Sequence, residues 1–404
     1  MNTHTIAQDV HCIKLDINTS DLFEGIWPIP GGVSLNSYIV KGEKIALIDL
    51  FRDWNGSVSE AEAALKSLNL DFSSIDYLVL NHLEPDHTGW LREFRQKNPG
   101  AQIIATQKGM DMVKSFYALE TGLRVVKDGE VLDLGNGKKL TFYEVPNVHW
   151  PDTMVSYESG TGTLFSCDAF GSYGSLGDRV FDDDYNDKEH AIYEEECLRY
   201  YSNIISSFST FVDKAIKKLA ALDIKTVAPS HGIIWRKEPH KIIERYQKYA
   251  SWSGGKAEKE IAIIWSSMYG NTKAGLDAVI RGIEKEGIPY KLHRVPNEDV
   301  SYVLATAYRS TGLVIAMPTY EYACFPPMYY VLDIFRRKHI FGKKALRIGS
   351  WGWVGGAKKE YDACLPNLKW ESLDSVEWTG FPTEAEFALL EERGRELALS
   401  VKNS

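Results

Sequence analysis

Asn81-His82-Leu83-Glu84-Pro85-Asp86-His87-Thr88-Gly89 sets two histidines and two carboxylates into six residues, directly after a short apolar strand expected at Tyr77 to Leu80. Packing four ionisable groups together without a cation is costly in desolvation and like-charge repulsion, so the run predicts a metal site. Pro85 argues against an ordinary helix and predicts a loop that turns the side chains toward one point. Three further donors stand in equivalent places. His149 follows an expected strand at Leu140 to Val145, Asp168 follows Thr163 to Ser166, and His231 follows Thr226 to Ala228.

Taken singly, His149 and His231 read as loop histidines and Asp168 as a cap; the HxExDH run is what recruits them. Ligands at the carboxyl ends of several strands converge on one mouth of a sheet-based fold. Four imidazoles and three carboxylates exceed the needs of one tetrahedral ion and suit two ions sharing a carboxylate. Nitrogen and oxygen donors without a thiolate suit iron or manganese as well as zinc. His4, His11, His190, His240, His293 and His339 lack such company and are expected at the surface or as caps.

Around this run the first part of the chain reads as β-rich segments at Asn36 to Val40 and Lys44 to Leu50, then helical runs alternating with strands. Long helices are expected at about Glu189 to Phe208 and Thr210 to Leu222. The pattern predicts two sheets covered by helices. Near residue 253 the composition turns small and polar (Ser253 to Glu260), which predicts domains at 1–253 and 254–404. The second part alternates strand and helix: strands at Ile261 to Trp265, Tyr290 to Arg294, Leu313 to Ala316 and Lys344 to Ile348, and helices at about Thr272 to Glu286, around Met328 to Arg336, and from Glu384. That is the pattern of a doubly wound parallel sheet.

Three loops in this second part follow strand ends. In Ser266-Ser267-Met268-Tyr269-Gly270-Asn271-Thr272, hydroxyls and amides precede a helix and make an anion cradle. The GxxxxGK pattern of a nucleoside triphosphate loop is absent, so a monoester phosphate fits better. Pro318, Thr319, Tyr320 and Glu321 lie in the second loop, and Ser350, Trp351, Gly352, Trp353 and Gly355 in the third. Aromatics interleaved with glycine let backbone approach a flat ring while a side chain covers its face.

Across all 404 residues, 44% are hydrophobic and 25% charged, the profile of a globular chain. A net charge of -9 without a basic patch argues against nucleic acid and anionic lipid as partners; Lys343–Lys344 and Arg336 to Lys338 read as solvated runs. The five cysteines form no CxxC pair, and no signal-like or membrane-length apolar stretch occurs, which predicts a reducing, cytoplasmic location.

The HLEPDH run with His149, Asp168 and His231 resembles the metallo-β-lactamase-like domain of flavodiiron proteins, and the three later loops resemble the phosphate and isoalloxazine loops of flavodoxin-like domains. Leu22 to Trp27, Val148 to Thr153 and Arg199 to Asn203 are similar to family stretches as well. Zinc hydrolases of the wider superfamily usually carry His where Glu84 stands. The resemblance covers essentially the whole chain. It implies an αββα sandwich followed by a flavodoxin-like sheet, FMN, and two irons per chain. One iron takes His82, Glu84 and His149, the other takes Asp86, His87 and His231, and Asp168 bridges them.

The implied activity passes electrons from FMN to the diiron centre, which reduces dioxygen to water or nitric oxide to nitrous oxide. Tyr201 and Trp150 are singled out as residues that tune the centre. With no cysteine after Cys364, a fused rubredoxin-type module is not expected, so rubredoxin or a reduced deazaflavin serves as external donor. A head-to-tail homodimer, or a tetramer containing it, is expected to bring flavin loops of one chain over metal loops of the other and to bury Trp351 and Trp353. Two rivals are a binuclear metallohydrolase with a regulatory flavodoxin-like domain, and an electron carrier with a degenerate first domain.

Overall fold

The computed structural model describes residues 3–404, which fall into two compact units. The first comprises the chain up to Tyr201 together with Thr210–Gln247, and the second comprises Ser202–Ser209 with Lys248–Ser404. The turn-rich stretch from Ser253 lies within the second unit, which also takes in Ser202–Ser209, a piece that no shift in composition marks.

In the first unit a seven-stranded sheet runs Thr3–Ala7, Val10–Ile17, Val33–Lys41, Ile45–Ile48, Tyr77–Val79, Gln102–Ala105, Leu123–Val125. Its pairs are antiparallel as far as Ile45–Ile48 and parallel from there on. A five-stranded sheet runs Val131–Gly135, Lys138–Glu144, Met154–Glu158, Thr163–Cys167, Thr226–Pro229, and its last pair is parallel. The inner faces meet: the Tyr38 and Phe165 rings are 5.1 Å apart, and the Tyr38 hydroxyl donates to the Pro229 carbonyl at 2.6 Å. Helices Ser57–Ser67 and Gln107–Tyr117 each bury one stripe, Ala61, Ala64 and Leu65 in the first, Met110, Val113 and Tyr117 in the second.

Strands of the second unit lie in the order Tyr290–Arg294, Glu258–Trp265, Ser310–Ala316, Lys344–Trp351, with Glu371–Ser372 and Val376–Thr379 beyond, all parallel. Numbered along the chain this is 2-1-3-4-5, the flavodoxin-like order. Ile261–Ile264 and Leu313–Ala316 are fully buried, as strands covered on both faces must be. Helices Asn271–Lys285 and Glu384–Lys402 press together where a Cβ on Gly282 would come within 2.0 Å of the Glu391 carbonyl, so only glycine allows the contact. A capping box, Thr383 with Glu386, starts the second of these helices and contributes about 1 kcal/mol.

Several expectations are corrected. Pro85 opens a one-turn helix, Pro85–Thr88, instead of a loop, because proline at the first helical position gives up an N–H that has no intrahelical partner anyway. The third cofactor loop begins later than expected, since its strand runs on through Trp351. Lys343 is buried, donates to the Tyr308 carbonyl at 2.8 Å, and is pushed down to about 7 by burial. His293 is buried beside Glu298 at 2.9 Å.

Candidate metal centre and cofactor cleft

The seven candidate donors of the first unit converge at the carboxyl ends of strands from both sheets. His82, Glu84, Asp86 and His87 follow Tyr77–Val79 of the larger sheet, whereas His149, Asp168 and His231 come from the smaller one. Asp168 sits at the centre. Its Oδ2 lies 3.4 Å from both His82 Nε2 and His149 Nε2, while its Oδ1 lies 3.0 Å from His87 Nε2 and 3.3 Å from His231 Nε2. Glu84 joins the first group, 3.0 Å from His149 and 3.4 Å from His82. Asp86 joins the second, 3.2 Å from His231 and 3.5 Å from His87.

Donors bound at about 2.0–2.2 Å stand about 3.0–3.5 Å from one another around a shared ion, which is the spacing within each group. Both oxygens of Asp86, Asp168 Oδ2 and His231 Nε2 are buried without a hydrogen bond. Dry, unbonded polar atoms are expensive unless a cation satisfies them. The far sides of two rings face acceptors: His231 Nδ1 lies 2.8 Å from the Ser34 carbonyl, and His82 Nδ1 faces, at 3.4 Å, Asp152, which accepts from the Leu83 amide at 2.8 Å. Such partners orient an imidazole and leave Nε2 for a metal. The residues present therefore fit two ions.

Electrostatics agree. Burial opposes charge on every imidazole, but the facing carboxylates reverse it, raising His82 and His231 to about 10 and His87 and His149 to about 9. Burial likewise pushes the carboxyls up, yet His149 and His82 bring Glu84 down to about 2, and His87, His149 and His231 hold Asp168 well below the usual range. Protons stand where cations fit, and a metal has to displace them. Cys167 lies near His87 and Asp168, but burial pushes its thiol well up, so it offers no thiolate.

Trp150 stands edge-on to His82, with centroids 4.9 Å apart. Tyr201 packs instead against the Tyr246 ring at 5.0 Å. Its neighbour Tyr200 is the tyrosine at the centre, donating to Asp168 Oδ1 at 3.2 Å.

In the second unit a cleft of about 360 Å³ opens between the three expected loops. Ser267, Met268, Tyr269, Asn271, Thr272, Pro318, Thr319, Tyr320, Glu321, Ser350, Trp351, Gly352 and Trp353 line it, together with Tyr322 and Val354. Ser266 does not, because its hydroxyl turns inward to the Val295 carbonyl. Gly270 and Gly355 shape the loops without lining the cleft: Gly270 has φ 94° and its amide donates to Ser267 Oγ at 3.0 Å. Thr272 and Ser350 hydroxyls meet at 2.9 Å across two of the loops. Trp353 is 81% exposed and Tyr269 is 92% exposed, so large apolar rings stand around an open mouth.

Residues 33–232 match the family model described as ODP family beta lactamase. Among solved structures, the rubredoxin oxygen:oxidoreductase from Desulfovibrio gigas superposes with a TM-score of 0.93 at 26% identity, covering 99% of each chain. A variant of the flavo di-iron protein from Thermotoga maritima gives a TM-score of 0.89 at 29% identity, covering 99% of this chain and 98% of that one. The anaerobic nitric oxide reductase flavorubredoxin of Vibrio vulnificus is 33% identical over 399 residues, covering 97% of this chain and 79% of that protein. The chain belongs to the flavodiiron protein family. Its fold is accordingly a metallo-β-lactamase-like sandwich followed by a flavodoxin-like sheet.

For this flavodiiron chain, sequence reasoning missed Tyr200, Asp152 and Ser34 around the candidate donors, whereas Tyr322 and Val354 at the cleft lie within the stretches it reads as the second and third cofactor loops. Asp49 was missed too: it is buried, accepts from the Asn81 amide at 2.7 Å, and is held up by burial. Position beside a recognised motif points to Asp152; no local pattern points to Ser34 or Asp49.

Proposed function

We propose that the protein is a flavodiiron oxidoreductase that reduces dioxygen to water, nitric oxide to nitrous oxide, or both, drawing electrons through FMN from an external donor, rubredoxin or a reduced deazaflavin. The observation that carries this reading is Asp168, with one oxygen toward each of two donor groups, in a member of this family. His82, Glu84 and His149 would hold one iron and Asp86, His87 and His231 the other, with Asp168 shared. When bound, the two irons and FMN supply the electron-transfer chemistry, and the protein supplies geometry and charge.

The chain's own residues do the rest. Ser267, Asn271 and Thr272, with the first amides of helix Asn271–Lys285, provide donors for a phosphate. Tyr320, Tyr322, Trp351 and Trp353 provide faces for a flat ring. Tyr200 holds its proton, since burial pushes its phenol well up, and its hydroxyl donates a hydrogen bond to Asp168, steadying the shared carboxylate. Relatives named as nitric oxide reductase and as rubredoxin oxygen:oxidoreductase support both gases as substrates. A hydrolase is disfavoured by Glu84, a third carboxylate where hydrolases carry His, and by the complete set of cofactor loops.

We place the protein in a reducing cytoplasm, a reading supported by five free thiols among the described residues; no helix there is long and apolar enough to cross a membrane. A head-to-tail homodimer, or a tetramer built on it, completes the proposal.

Purified protein is expected to be yellow, to hold two irons per chain, and to consume oxygen or nitric oxide with a chemically reduced donor. Colourless zinc protein that cleaves esters would overturn the reading. Replacing Asn271 and Thr272 together by alanine is expected to weaken FMN retention, each charge-assisted contact being worth about 1–3 kcal/mol, or roughly tenfold in affinity per 1.4 kcal/mol. Iron content should stay unchanged. Stoichiometric FMN after long dialysis of that variant contradicts the phosphate assignment.

A further inference from the structure

Arg347 is fully buried on the strand Lys344–Trp351. Its Nη1 lies 2.5 Å from Glu377 Oε1, and the Glu377 side chain is 20% exposed. Arg347 Nε, Nη1 and Nη2 all lack a well-formed hydrogen bond. A guanidinium carries five donors and cannot shed its proton, so hiding one with a single close partner is expensive, and an apolar side chain would fill the same space at less cost. The charge itself therefore calls for an explanation.

Its position supplies one. A Cβ built on Gly349 would meet Arg347 Nη2 at 3.2 Å and the Met317 carbonyl at 1.9 Å. The guanidinium thus reaches along its strand to where Ser310–Ala316 and Lys344–Trp351 hand over to two of the cleft loops. Glu377 pairs with Gly349 in the ladder, and its Oε2 comes within 3.6 Å of a Cβ built on Gly355, a position 3.5 Å from the Trp351 indole. The ion pair therefore lies behind the strand end at Trp351 and the loop that follows it with Trp353, beneath residues that line the cleft.

We propose that Arg347 is a positioning residue for the flavin: with Glu377 it fixes the spacing of the two aromatic loops, and its buried charge favours the reduced, anionic state of the ring. This rests on the cleft being the FMN site. Glu377 has some contact with solvent and Arg347 has none, so the cation is the less screened of the two charges, and the pair's net effect on the cleft is taken as positive. Charge close to a flavin ring tunes its electronics.

The test uses the full chain loaded with iron and FMN, and reads the flavin midpoint potential by spectroelectrochemistry and FMN affinity by fluorescence. Arg347→Met is expected to lower the ratio of reduced to oxidised flavin at fixed potential tenfold or more, which is about 30 mV for a two-electron couple. Glu377→Gln, which leaves the cation unpaired, should shift the ratio in the opposite direction, and the double variant, which carries neither charge, should fall between wild type and Arg347→Met. A purely structural pair would loosen FMN in both single variants without shifts of opposite sign. If Arg347→Met does not fold, Glu377→Gln decides alone: a higher ratio of reduced to oxidised flavin supports the role, and an unmoved ratio overturns it. Wild-type protein that binds no FMN overturns the cleft reading and this proposal with it, whereas bound FMN with unmoved potentials overturns only the role of Arg347.

Discussion

Asp168→Ala is expected to abolish gas reduction while FMN stays bound. The carboxylate has one oxygen 3.0 Å from His87 and 3.3 Å from His231, and the other 3.4 Å from His82 and His149. Among the described residues no other side chain faces both groups, so its removal would take an anionic donor from each proposed iron site at once. Nothing nearby replaces it. Burial keeps Cys167 and Tyr200 protonated, and Asp49 is engaged by the Asn81 amide. Iron analysis should show loss of metal, and turnover with a reduced donor should fall to background. The flavin spectrum should be unchanged, since the cleft-lining residues all belong to the other compact unit. Normal turnover in this variant sinks the diiron assignment.

A mixed dimer of an Asp168→Ala chain with an Asn271→Ala/Thr272→Ala chain is expected to recover about half of wild-type activity, as two-fold symmetry requires of composite sites. If flavin on one chain serves iron on the other, the mixed dimer holds one composite site with both cofactors intact and one with neither. If electrons stay within a chain, every route is broken. The aromatic rings around the cleft, Trp353 and Tyr269 above all, are exposed in the single chain and suit burial against a second copy. Coexpression with two different tags isolates the heterodimer, and cofactor analysis must first show one FMN and one intact diiron site per dimer. A dimer that passes that check and stays inactive rules the head-to-tail arrangement out.

The candidate donors are legible because four of them fall in a compact run that is costly without a cation, and because strand ends gather His149, Asp168 and His231 to the same mouth. The surrounding residues are less so. Tyr200 and Tyr201 are adjacent, and successive residues on a helix point about 100° apart, so only the phase of the helix Asp187–Tyr200 decides which one meets Asp168. Ser34 and Asp49 come from strands distant along the chain, and register alone brings them in. Helix Ala357–Leu368 is hidden by Pro366 in its interior, and Val300–Arg309 by eight buried residues out of ten, which leaves no polar stripe to read. Lys343 reads as solvated beside Lys344, yet neighbours entering a strand point to opposite faces, and one of the two must go inward.

With four candidate donors on one sheet and three on the other, a diiron centre held by them would also work as a rivet through the sandwich. Ions that bind the folded chain alone add about 1.4 kcal/mol of stability for each tenfold rise above their dissociation constant. The sandwich is then an iron gauge: under scarcity the Tyr38–Phe165 core still joins the sheets, but at the metal mouth only protons shared between imidazole and carboxylate do, a looser seam for proteases to open. How long a copy lasts would follow the iron supply, even where its synthesis does not.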